Sequence, residues 1–131
     1  MALKEILLID DNYIDNYINK RIVTSEKIAE HITVKLSPVE ALEYLGSKMD
    51  TLPELIFLDI KMPEMDGFEF LKELSKLCPL PHQQAKCNII MLSSSINRKD
   101  IDAAKKNPLV KDFLTKPLDP FKLNAVMKLL V

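Results

Sequence analysis

The sequence predicts an α/β domain: a five-stranded parallel sheet, doubly wound, with five helices covering its two faces. Three observations carry this prediction. Short β-prone apolar runs alternate with segments whose apolar residues recur at helical spacing. The strong strand runs are apolar at consecutive positions, as strands covered on both faces must be. Helix-start signals fall at the junctions between the two kinds of segment.

In chain order, "LKEILLID" (3–10) is the first strand, and Ile14, Tyr17, Ile18, Arg21 and Ile22 then space as one face of a helix. "HITVKL" (31–36) is a weaker second strand, and Ser37-Pro38-Val39-Glu40 opens the second helix as a capping box with proline at its first position. "LIFLD" (55–59) is the third strand. Phe68, Phe70, Leu71, Leu74 and Leu77 mark the third helix. "NIIMLS" (88–93) is the fourth strand, followed by a helix over 97–106 for which Ser95 is the candidate cap. "VKDFLT" (110–115) is the fifth strand. Asp119-Pro120 opens the last helix, in which Phe121, Leu123, Val126 and Leu130 space as one face. "CPLPHQQAKC" (78–87) reads as a longer loop with no assignable role.

Composition narrows the function classes. A chain of 131 residues suits one domain, 1–131, able to bury roughly two thirds of its unfolded surface. A net charge of −1 provides no electrostatic pull toward nucleic acid or an anionic membrane. No apolar run approaches the roughly 18 residues needed to span a bilayer, and no signal-peptide pattern is present. Cys78 and Cys87 form no CxxC pair and have no histidine at ligand spacing, which favours two reduced thiols in a cytoplasmic protein. His31 and His82 are isolated and read as surface residues.

Right-handed crossovers place the carboxyl ends of all parallel strands on one sheet edge, where open α/β sheets bind ligands. Two strands that neighbour one another in this architecture end there in acid: Asp10-Asp11 after the first and Asp59 after the third. Alone, either Asp11 or Asn12 reads as a helix cap. Together, three carboxylates in one crevice require a cation, and an all-oxygen ligand set suits Mg²⁺. Ser93-Ser94-Ser95 ends the fourth strand and Thr115-Lys116-Pro117 the fifth. Acids, a hydroxyl and an ammonium around one crevice describe a phosphoryl site, in which a carboxylate can itself be the nucleophile.

The ordered set "ILLIDDN", "LIFLDIKMPEMDGFEFL", "IIMLSSS" and "DFLTKPL" resembles the response-regulator receiver domains of two-component signalling, from about Ile6 to the chain end. The resemblance implies a flavodoxin-like strand order 2-1-3-4-5. It implies Asp59 as phosphoacceptor, and Asp11, Asp59 and the Lys61 backbone carbonyl as direct Mg²⁺ ligands, with Asp10 acting through water. It also implies Ser93 as the hydroxyl that meets the phosphoryl group, Lys116 as its ion-pairing lysine with a cis peptide before Pro117, Phe113 as the aromatic switch residue, and Gly67 as the end of a loop shaped with Pro63. Three features depart from the family pattern: Ser93 in place of threonine, Phe113 in place of tyrosine, and "KKNPLVKDF" without the usual Gly-Ala.

The implied function is a free-standing phosphoryl-accepting switch. It is not an enzyme acting on a substrate, and it catalyses only its own phosphorylation and dephosphorylation. Its donor is a sensor histidine kinase or a phosphotransfer protein, and a downstream protein of unknown identity reads the change. The exposed-face candidates for docking the donor are Tyr13 and Ile14, with Ile18 assigned to the core. Rival readings fit less well. An aspartate-nucleophile phosphatase needs a second acid two residues on, where Lys61 stands, and a flavin binder needs a Ser/Thr/Gly-rich loop where "DDNYID" stands. A phosphorylation-independent interaction module of the same fold is the remaining alternative.

Overall fold

The computed structural model describes residues 2–81, 84, 86–94 and 97–130. Its elements alternate as predicted: β1 (Leu3–Ile9), α1 (Tyr13–Ser25), β2 (Ala29–Lys35), α2 (Pro38–Gly46), β3 (Leu55–Asp59), α3 (Gly67–Leu77), β4 (Asn88–Ser93), α4 (Arg98–Lys106), β5 (Val110–Thr115) and α5 (Pro120–Leu129). A single 3₁₀ turn, Met49–Thr51, lies between α2 and β3. All strand pairs are parallel and the order is β2-β1-β3-β4-β5. The second strand begins two residues earlier than its apolar run, because pairing along β1 from Leu3↔Ala29 recruits Ala29 and Glu30 whatever their propensity.

Alternation of side chains divides the core in two. Leu7, Ile9, Ile56 and Leu58 pack with Ala41, Leu45, Phe70, Leu71, Leu74 and Ala104 of α2, α3 and α4. Ile6, Leu8, Leu55 and Phe57 pack with Val23 of α1 and Leu123 and Val126 of α5. Strand β3 is buried at every position, whereas the edge strands β2 and β5 are partly exposed. A β-bulge between Ile89 and Ile90 passes over Lys111, so that Met91 pairs with Phe113 and Leu92 with Leu114. This shift places Phe113 on the same face as Met91.

Helix α1 turns Tyr13 and Ile14 to solvent as expected, and Ile18 with them. Its buried residues are Asn16, Asn19 and Val23, while Tyr13, Ile14, Tyr17 and Ile18 are exposed. The Asn16 amide donates to the Asp10 carbonyl at 2.7 Å, which fixes the rotational phase of the helix and corrects the assignment of Ile18 to the core. Phe121 is likewise outside: it is 84% exposed, and Leu123 and Val126 carry the contact of α5. The cap of α4 is Asn97, which accepts from the Lys99 amide at 2.9 Å; Ser95 lies outside the described residues, as does His82. Cys78 and Cys87 are both buried free thiols, and burial pushes Cys87 up to about 12, which makes it inert as a nucleophile.

The apolar reading of β1 missed one charge. Glu5 is buried and accepts from Thr33 Oγ1 at 2.6 Å, from Lys48 Nζ at 2.6 Å and from the Tyr44 hydroxyl. Burial pushes its carboxyl up, but the hydrogen bonds from Lys48, Thr33 and Tyr44 outweigh burial and hold it below the usual range. A depressed carboxyl stabilises the fold above its unfolded value and loses that contribution as pH falls through the folded one. Glu5→Gln is therefore expected to reduce stability at pH 7 by about 1–3 kcal/mol, with a much smaller deficit near pH 3. Urea unfolding at both pH values checks this, and an equal deficit at both would show that the carboxylate charge is not the cause.

Candidate functional site

The parallel register carries the site acids to one edge. Ile9 lies opposite Leu58, so the next residues, Asp10 and Asp59, emerge side by side. Asp10 is 4% exposed and its carboxylate accepts from the Asn12 amide at 2.9 Å. Asn12, not Asp11, caps α1 by accepting from the amides of Ile14 and Asp15. Asp11 is exposed, and one carboxylate oxygen from each of Asp10, Asp11 and Asp59 lies within 4.8 Å of the others. Asn16 Oδ1 is buried with no hydrogen-bond partner among the described residues.

The loop after β3 turns at Glu64. Its φ of 70° is in the left-handed region, and Met65 N donates back to Pro63 O at 2.7 Å, so Pro63 sets the entry and Glu64 makes the bend. Asp66 then caps α3 in a capping box with Glu69. Gly67 is required for a different reason. Its N–H donates to Ile60 O at 2.7 Å, and a Cβ there would sit 2.7 Å from the Asp59 carbonyl oxygen and 2.9 Å from Met91 Cε. The glycine lets α3 start directly against the backbone of the acid.

Strands β4 and β5 deliver the other two groups. Ser93 is buried at the end of β4 and its carbonyl accepts from Lys116 N at 2.8 Å, just before the cis Lys116–Pro117 peptide. Lys122 Nζ holds this turn from α5, donating to Thr115 O at 2.8 Å and Pro117 O at 3.0 Å. The Lys116 ammonium, its side chain 11% exposed, lies 2.7 Å from Asp10, 2.8 Å from Asp15 and 3.2 Å from Asp59. Sequence reasoning missed Asp15 and Lys122. The available signal for Asp15 was its place in the first turn of α1, beside the edge that Asp10 and Asp11 occupy.

Electrostatics show an anionic site that one ammonium does not balance. Burial and the Asp10 charge push the Asp59 carboxyl up to about 7, against the opposing pull of Lys116. Burial works against the charged form of Lys116, but hydrogen bonds to Asp10 and Asp15 and the charge of Asp59 outweigh it and raise its pKa. Asp10, Asp11 and Asp59 are hard oxygen donors, and Lys116 alone does not offset the burial and Asp10 charge that raise the Asp59 carboxyl. The donor set fits a hard divalent cation.

The crevice over these groups has a volume of about 340 Å³ and is lined by Asp11, Asp15, Asp59, Lys61, Ser93 and Lys116, among others. A larger groove of about 460 Å³ runs beside β5, where Ile101, Ala104, Phe113 and Lys122 border it; Phe113 is half-buried there. A further groove, about 540 Å³, lies at the opposite sheet edge around Glu5 and Lys48, away from the acids.

The model of the response regulator receiver domain matches residues 6–128. The chain belongs to this family. Among curated relatives, a protein-glutamate methylesterase/protein-glutamine glutaminase of Thiobacillus denitrificans is 32% identical over 86% of this chain, which spans only 29% of that protein. A two-component response regulator from Cytophaga hutchinsonii superposes with a TM-score of 0.90 at 28% identity, covering 99% of this chain and 98% of its own. A CheX–CheY complex with BeF3 and Mg²⁺ from Borrelia burgdorferi superposes with a TM-score of 0.76 at 25% identity, covering 99% of this chain and 91% of that one. The receiver domain is a signalling module of two-component systems; such domains bind Mg²⁺ at an acidic pocket, and here Asp10, Asp11 and Asp59 cluster. No helix of the described residues is long and apolar enough to cross a membrane.

Proposed function

We propose that this receiver domain is a phosphoryl-accepting switch in which Asp59 takes the phosphoryl group from a sensor histidine kinase or a phosphotransfer protein. The observation that carries the reading is the convergence of Asp10, Asp11 and Asp59 within 4.8 Å, with Lys116 3.2 Å from Asp59. Asp10, Asp11, Asp59 and the Lys61 carbonyl would hold Mg²⁺, which supplies charge neutralisation for the acids and for the incoming phosphoryl oxygens. An Asp59 carboxylate oxygen forms the new bond to phosphorus as the bond to the donor nitrogen breaks, giving an acyl phosphate. Lys116 neutralises one phosphoryl oxygen and the Ser93 hydroxyl donates to another. The apolar residues that α1 turns to solvent, Tyr13, Ile14, Tyr17 and Ile18, form the surface on which the donor docks. The domain works in the cytoplasm, and its output is binding of a downstream protein.

Incubation with Mg²⁺ and acetyl phosphate, followed by intact-mass measurement, is expected to give an alkali-labile adduct of about 80 Da. Asp11→Ala is expected to weaken Mg²⁺ binding at least about tenfold and to abolish the adduct. An alkali-stable adduct would place the phosphate on a serine instead. No adduct with intact Mg²⁺ binding would favour a receiver fold used only as an interaction module.

The groove beside β5, which Phe113 borders, supports the switch part of this reading. A phosphoryl group brings about −1.5 to −2 charge to Asp59, the Ser93 hydroxyl turns toward it, and Phe113 gains by packing into the space vacated. Beryllofluoride, a phosphoryl mimic, is therefore expected to shift NMR signals through 97–116 well beyond the site, and Ser93→Ala to retain phosphorylation while shrinking that response. Shifts confined to the metal-binding loops in both proteins would make Phe113 a plain packing residue. A partner reads the switch only if it prefers one of the two packings.

A further inference from the structure

We propose that Asp15 is a positioning residue that holds the Lys116 ammonium beside Asp59 while the other acids of the site change partners; this rests on the reading of Asp59 as the phosphoacceptor. The ammonium has three N–H donors and three carboxylate neighbours, at 2.7 Å on Asp10, 2.8 Å on Asp15 and 3.2 Å on Asp59. They come from three elements: the end of β1, the first turn of α1 and the end of β3. Two of them are drawn into the chemistry. Asp10 belongs to the carboxylate cluster that suits a cation, and Asp59 gives up the charge on one oxygen when it becomes an acyl phosphate. Asp15 lies outside that cluster and is the carboxylate left to Lys116 throughout.

The surrounding geometry shows what the tether prevents. Asp15, Lys116 and Ser94 line both the 340 Å³ crevice over Asp59 and a second crevice of about 170 Å³, whose other lining residues are Ile18, Asn19 and Pro117. The pair, with Ser94, borders both spaces. Without the Asp15 carboxylate, the four-carbon stem of Lys116 is free to swing its ammonium into the smaller crevice, away from the acid it must serve. Asp15 is itself well anchored, because its backbone N–H donates to the capping oxygen of Asn12 at 3.1 Å. Its side chain is 31% exposed, so its removal leaves no buried void.

Two substitutions separate the tether from the charge. Asp15→Ala removes the acceptor, whereas Asp15→Asn retains an acceptor oxygen and removes only the charge. In ¹⁵N-labelled, metal-free protein, the Lys116 ammonium is expected to give a slowly exchanging Nζ signal that is lost in Asp15→Ala and retained in Asp15→Asn. With Mg²⁺ present, beryllofluoride affinity is expected to fall about tenfold in Asp15→Ala and to stay within about threefold of wild type in Asp15→Asn. Both variants should keep wild-type amide spectra away from the site. An unchanged ammonium signal and affinity in Asp15→Ala would overturn the proposal, as would equal losses in both variants, which would assign the effect to charge alone. Wild-type protein that fails to bind beryllofluoride would overturn the phosphoacceptor reading, while the ammonium signal in the metal-free variants still decides whether Asp15 is the tether.

Discussion

Asp59→Asn is expected to make the metal-free protein more stable at pH 7 while abolishing phosphoryl uptake. The Asp59 carboxyl stands at about 7 in the folded state against an ordinary 3.8, because burial and Asp10 both oppose its charge. A carboxyl raised in this way destabilises the fold where the unfolded chain is ionised. The penalty is absent below about 3.8, grows as pH rises to about 7, and is full above it. Asparagine keeps an oxygen to accept the Ile60 amide, which Asp59 Oδ1 now takes at 3.0 Å, and leaves Lys116 paired with Asp10 and Asp15. The gain is expected to be on the order of 2–4 kcal/mol at pH 7 and above, and to vanish near pH 4. Millimolar Mg²⁺ should narrow the gap by stabilising the wild-type protein alone. Thermal melts across pH 4–8, with and without Mg²⁺, provide the measurement. A variant no more stable than wild type at pH 7 would mean that Asp59 is already neutralised by Lys116. A gain of this kind is what a functional acid held against its own preference should show.

Gly67→Ala is expected to be among the most damaging single-methyl additions in the chain. Gly67 does not have a positive φ, so alanine suffers no backbone penalty and the damage is contact alone. The Met91 methyl, 2.9 Å from the added Cβ, can rotate away. The Asp59 carbonyl oxygen at 2.7 Å cannot, because Asp59 is paired with Leu92 in the ladder between β3 and β4. Overpacking against fixed backbone is expected to lower stability by about 2–3 kcal/mol. Because the displaced atoms belong to Asp59, Mg²⁺ affinity should also fall, by more than the small change expected of a remote variant with equal loss of stability. Urea unfolding and a Mg²⁺ titration test the two effects separately, and wild-type values in both would show that α3 has room to retreat.

Much of this molecule was legible in the sequence because its signals are local. Uninterrupted apolar runs in β3 and β4 admit only a strand covered on both faces, and their bounds coincide with those of the structure. Capping chemistry at Ser37-Pro38 and Asp119-Pro120 fixed the starts of α2 and α5, since those side chains satisfy amides two or three residues away. The acids at 10, 11 and 59 were visible as strand endings, and parallel topology brings strand endings to a single edge.

Tertiary structure decided what depends on the pairing of distant groups. Periodicity placed Ile14, Tyr17 and Ile18 on one face of α1 but could not say which face is inward; a hydrogen bond from Asn16 to the Asp10 carbonyl turns that face to solvent. Glu5 reads as a flaw in an apolar strand until Thr33, Tyr44 and Lys48, brought in from β2 and the end of α2, surround it. Asp15 and Lys116 are 101 positions apart, and no local signal joins them. A chain of amino acids specifies its elements through neighbours a turn or a strand away, so those are readable in order. Charges find their partners only after the sheet has closed, and whether such a partner is present determines whether a buried acid like Asp59 resists ionisation.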